Sequence, residues 1–148
     1  MEHQYVYSVE RVRNAFVKAE EKGVYWNTRP DDLVVKAMIG FLDRHPDLHR
    51  AAIDDVAVAA TTQTGDQGLT IGRTSAILAG LPQSVPGYAI DRMCAGAMTA
   101  VTTTASAIGI GAYDIALAGG VEHMGRHPMG FDADPNPRFL SEKLVNPE

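Results

Sequence analysis

Cysteine is all but missing from this chain: Cys94 is the only one in 148 residues. A single thiol closes no internal disulfide, so a cross-linked secreted scaffold is excluded and a reducing, cytoplasmic setting is expected. Five histidines are scattered without ligand spacing, and no metal is expected. Basic blocks are also lacking and the formal net charge is -5, the wrong balance for gripping a phosphate backbone. Nucleic acid is not an expected partner. Apolar runs fall far short of the roughly 20 residues that span a bilayer, and MEHQYVYSVERVRN mixes charges with aromatics instead of building a leader peptide. No membrane span is expected, and there is neither an internal repeat nor a low-complexity tract.

What the chain does have is 45% hydrophobic residues, enough for the core of one ordinary domain. Tyr5–Val9 (YVYSV) is β-rich and reads as a first strand, followed by a charged surface excursion through ERVRNAFVKAEEKG. A helix start is signalled by Thr28, by Pro30 in the first turn and by Asp31 and Asp32 against the dipole. Leu33, Val34, Ala37, Met38, Phe41 and Leu42 recur at helical spacing, and the helix ends before Pro46. The continuous apolar run Val56–Ala60 is a strand covered on both faces. Thr70 is placed to cap a helix reaching about Ala79, with Gly80 and Pro82 stopping it. GYAIDR then forms a third strand and DIALAGG a fourth. Strands alternating with helices define an α/β layer structure with a mostly parallel sheet of about four strands.

Between those last two strands lies the chain's one thiol, preceded by GYAIDR and followed by a helix of Ala, Gly, Thr and Ser. In that helix Met98, Val101, Ala105 and Ile108 mark an apolar seam, as in a helix buried between two layers. A sharp strand-to-helix turn lifts a nucleophile to the end of a sheet. There the positive helix end stabilises a thiolate, and free N–H groups can receive an oxyanion. Pattern alone leaves a second reading open, in which Cys94 is a small buried hydrophobe.

QTGDQG from Gln63, GRTSAILAGLPQSVP, DRMCAGAM, IGIGAYDIALAGG and GGVEHMGRHPM follow one another in an order and spacing that resemble the N-terminal part of a thiolase. RVRNAFVK and NTRPDDL fall where that family has an arginine turn and its first helix. The resemblance implies the incomplete N-terminal half of the thiolase fold over 1–130, with 131–148 opening a loop region or linker. GGVEHMG and the DPNP tail are most similar to the fatty acid β-oxidation enzymes that cleave 3-ketoacyl-CoA. By that resemblance Cys94 is the acyl-accepting nucleophile, its backbone N–H forms half of an oxyanion hole, and coenzyme A and acyl-CoA are substrates rather than bound cofactors. A homo-oligomer paired through GYAIDR, or a complementing C-terminal thiolase chain, is the implied partner.

The family's base histidine in Gly-His-Pro and its second cysteine in Cys-x-Gly are not among these residues, which implies a chain truncated before the C-terminal half and incompetent for turnover alone. His45-Pro46 and His127-Pro128 imitate the base motif without its glycine, and with His123 they read as structural or solvated. Departures from the family are Ala95, Gly96 and Ala97 after the cysteine, Asp91 in place of asparagine, and Asn14 and Ala15 in place of threonine and proline. A carboxylate near the thiol disfavours the thiolate. Two alternatives remain: a condensing enzyme of the same fold, of the ketoacyl synthase or hydroxymethylglutaryl-CoA synthase type, and a non-catalytic dimerisation or docking module.

Overall fold

The computed structural model describes residues 5–139. In chain order it contains α1 (Pro30–Arg44), β1 (Asp55–Ala59), α2 (Ile71–Leu78), β2 (Tyr88–Ile90), α3 (Gly96–Gly109) and β3 (Ala116–Gly120), with single 3-10 turns at Arg50–Ala52, Gly65–Gln67 and Met93–Ala95. The three strands form one parallel sheet in the order β2-β1-β3. Ala57 stands opposite Tyr88 on one side and Ala118 on the other. The chain steps one way from β1 to β2 and then back across β1 to β3. Right-handed crossovers therefore put α2 and α3 on opposite faces, and α2 packs with α1 while α3 lies against β1 and β3.

Central β1 explains both layers, because it is buried along its whole length and its side chains alternate in size. Val56 and Val58 join Val34, Met38 and Leu42 of α1 and Ile71 and Ala76 of α2 in the main core. Ala57 and Ala59 alternate with them and so face the other layer. There α3 presents Gly96, Ala100 and Thr104 as its buried residues. Small groups on both sides let helix and sheet backbones approach closely. The threonines that count against helix formation are accommodated because their hydroxyls bond back along the helix, Thr104 Oγ1 to Ala100 O at 2.9 Å and Thr102 Oγ1 to Met98 O at 3.1 Å.

Three expectations are corrected. Tyr5–Val9 is not a strand, so the described sheet has three strands rather than four. Extended backbone becomes a strand only by pairing, and this segment is parted from β3 by an open groove of about 1130 Å³ that both line. Its Tyr5, Tyr7 and Val9 are 87%, 78% and 80% exposed. The second correction concerns α3, whose larger residues turn outward: Met98 is 67% and Val101 47% exposed, on the side facing that groove. Third, α1 is preceded by Arg29 as its cap residue rather than Thr28, and Thr70, in left-handed geometry before α2, makes no side-chain cap bond. The tail has no helix or strand from Phe131 to Phe139, and the rest of the segment 131–148 lies outside the described residues. No helix among the described residues is long and apolar enough to cross a membrane.

Candidate functional site

Cys94 is the middle residue of the turn Met93–Ala95, between the end of β2 and the start of α3, and it is exposed. The buried-hydrophobe reading fails on that exposure. Getting there requires a sharp reversal, and Met93 takes a left-handed φ of 48°. A non-glycine residue in that region costs about 1–3 kcal/mol and persists only where its surroundings impose it. Here they include a bond from the Ala95 N–H to Arg92 O at 3.1 Å and a long one from the Met93 N–H to Asp91 Oδ1 at 3.5 Å. Asp91 is thus engaged with the turn backbone. The cap residue of α3 is Ala95, which has no side-chain acceptor. The first N–H groups of that helix are therefore left without a side-chain cap.

Three strand ends meet at this turn. The Ala60 N–H donates to Ile90 O at 3.4 Å, and the Val121 N–H donates to Ala59 O at 2.9 Å. A Cβ added to Gly96 would stand 2.7 Å from Ala59 Cβ, and one added to Gly120 would stand 3.0 Å from Ala97 Cβ and 3.1 Å from Ala59 O. The helix turn that follows Cys94 therefore rests directly on the ends of β1 and β3.

Beside those strand ends is a polar clamp that joins a buried amide to an exposed carboxylate. Gln67, fully buried, donates from Nε2 to Thr62 O at 2.8 Å and to Glu122 Oε1 at 3.1 Å, and its Oε1 accepts the His123 N–H at 2.7 Å. The second Glu122 oxygen accepts the Thr61 N–H at 2.7 Å. His123 is satisfied on both ring nitrogens, with Nε2 2.7 Å from Tyr25 O and Nδ1 accepting the Arg126 N–H at 3.2 Å. Sequence reasoning assigned no role to Gln67, Asp66 or Glu122. A carboxylate placed directly after the apolar strand and two glycines of LAGGVE was the available signal.

His45 and His127 are separate from the thiol's turn. His45 ends α1, its ring 4.8 Å from that of Phe41. His127 is buried rather than solvated, with Nε2 against the Asp66 carboxylate. Asp66 also receives Arg126, at 3.0 Å from Nε and 2.9 Å from Nη2. Burial on its own would raise the Asp66 carboxyl, but the hydrogen bond from His127 and the charge of Arg126 outweigh it and hold the group below its ordinary range. A carboxyl depressed in the folded state stabilises the fold above its unfolded pKa, near 3.8, and that contribution is lost as pH falls through the folded value. Urea midpoints should accordingly drop on acidification below about pH 4, and Asp66→Asn should flatten that acid limb while lowering stability at neutral pH. Among the described residues, no group of three or more His, Cys, Asp or Glu could hold a metal ion.

Fold and site together define an α/β protein with an exposed thiol on a strand-to-helix turn at the C-terminal ends of parallel strands. The sequence description of the thiolase N-terminal domain matches residues 6–145, and the chain belongs to that family. It is 44% identical over 115 residues to the 3-ketoacyl-CoA thiolase of Pseudoalteromonas translucida, covering 78% of this chain and 30% of that protein. With the enzyme of the same name from Saccharophagus degradans it shares 41% over 117 residues, 79% of this chain and 30% of the relative. Among solved structures it is similar to the Bacillus anthracis acetyl-CoA acetyltransferase, with a TM-score of 0.66 and 28% identity over 81% of this chain and 32% of that one. The chain spans about a third of the length of these relatives.

Proposed function

We propose that this chain carries the acyl-accepting part of a thiolase-type acyltransferase acting on 3-ketoacyl-CoA, with Cys94 as the nucleophile. The observation that carries the reading is the exposed Cys94 thiol on its turn, set beside the uncapped first turn of α3. In the forward direction the Cys94 thiolate adds to the 3-keto carbon and the oxygen becomes an oxyanion facing backbone N–H donors. The bond between C2 and C3 then breaks, the departing enolate takes a proton to become acetyl-CoA, and the acyl group stays on sulfur as a thioester. A coenzyme A thiol, giving up its proton, displaces the cysteine and leaves with the shortened acyl group. Reversal of the same steps is condensation.

Two proton transfers in that sequence need a base and a proton donor. Neither His45 nor His127 stands at the thiol's turn to supply them, and a complementing thiolase chain is the proposed source. The edge position of β2 in the sheet supports pairing with a second copy through Tyr88–Ile90. A free, exposed thiol suits the reducing cytoplasm, and shortening of acyl-CoA suits fatty acid β-oxidation. Alkylation by iodoacetamide tests the reading: incubation with a 3-ketoacyl-CoA should protect Cys94, and hydroxylamine, which cleaves thioesters, should restore labelling. Labelling that acyl-CoA leaves unchanged would instead describe an inert docking module.

A further inference from the structure

The clamp formed by Gln67 and Glu122 does not touch the thiol, yet it is built into two of the same strand ends, those of β1 and β3. Glu122 is two residues beyond Gly120, the residue on which Ala97 rests, and one beyond Val121, whose N–H is bonded to the end of β1. Its carboxylate joins the segment after β3 to the Thr61 N–H after β1, while Gln67 closes the link from inside and holds the His123 N–H as well. Glu122 itself is exposed, yet both of its oxygens are used, one on the Thr61 backbone N–H and one on the amide of the fully buried Gln67.

We infer that Glu122, held by Gln67, is a positioning residue for Cys94. By fixing the height of Gly120 and Val121 against Ala59, it sets the seat of the first turn of α3, and through it the direction of the thiol and of the N–H groups beside it. The inference rests on the acyl-acceptor reading of Cys94 and deepens it. Acyl transfer is sensitive to that seat because the oxyanion must meet its donors, whereas alkylation by a small reagent needs only an accessible thiol.

The test uses the full chain and the variants Glu122→Gln and Gln67→Ala, with exposed Glu20→Gln as a control. Glu122→Gln keeps shape but turns an amide NH₂ toward either the Gln67 or the Thr61 donor, so one bond becomes a donor–donor contact. Acylation of Cys94 by a 3-ketoacyl-CoA is expected to slow by about tenfold to a hundredfold, with alkylation by iodoacetamide unchanged. Amide exchange should quicken in residues 93–97 and stay as it was in residues 33–42 of α1. A parallel fall of acylation and α1 protection would mean general loosening and overturn the inference, as would acylation and exchange that do not move. If the unaltered chain takes no acyl group, the acyl-acceptor reading itself fails. The exchange comparison still decides the seat: faster exchange confined to 93–97 supports it, and unchanged exchange overturns it.

Discussion

Gly120→Val is expected to cost the chain about 3 kcal/mol and to suppress acyl uptake by Cys94 by about a hundredfold. A Cβ there meets Ala97 Cβ at 3.0 Å and Ala59 O at 3.1 Å. Ala59 O is already bonded to the Val121 N–H, so the strand end has little freedom to yield. A β-branched side chain adds two methyl groups to the crowding, and the element able to move is the first turn of α3. Valine's better strand propensity opposes this, but that scale spans only about 1 kcal/mol. Gly119→Ala is the matching control: a Cβ there meets nothing within 4 Å, and its stability should stay within about 0.5 kcal/mol of the parent. Urea midpoints of the two variants check the energetics, and acylation rates check the geometry.

Cys94→Ala is expected to abolish acyl uptake entirely while leaving stability unchanged within about 0.5 kcal/mol. The two halves of that expectation have one cause, the exposure of the residue. An exposed side chain forfeits almost no packing when trimmed, so its removal is felt in chemistry alone. No substitute exists in the sequence, because Cys94 is the only cysteine. Of the histidines that imitate a base motif, His127 is occupied by Asp66 and His45 caps α1 against Phe41. Cys94→Ser keeps a hydroxyl in place of the thiol and should retain only traces of activity, since an unactivated alcohol is a far weaker nucleophile.

The element order was legible because periodicity and punctuation act locally. Pro30 opens α1 and Gly80 with Pro82 closes the α2 region, as their backbone chemistry requires. Cys94 was legible for the same reason, since an apolar strand followed directly by a small-residue helix leaves the residue between them on a turn. Strand formation by Tyr5–Val9 was not legible, because β propensity says nothing about whether a partner strand lies alongside. The reading of α3 as buried between two layers holds on one side only, since the seam of Met98 and Val101 is exposed among the described residues. Here Ala57 and Ala59 of β1 demand small partners, so Gly96, Ala100 and Thr104 face the sheet and Met98 faces out. The clamp was hidden by distance: Gln67 and Glu122 are 55 residues apart, and Asp66 and His127 are 61 apart. Only the folded sheet brings those pairs together.

The central claim is that Cys94 accepts an acyl group, and intact mass of the chain after incubation with a 3-ketoacyl-CoA tests it most directly. One acyl adduct per chain is expected, mapped to the peptide holding Cys94, removed by hydroxylamine and absent from Cys94→Ala. A chain that gains no mass, or that gains it on a peptide without Cys94, would contradict it.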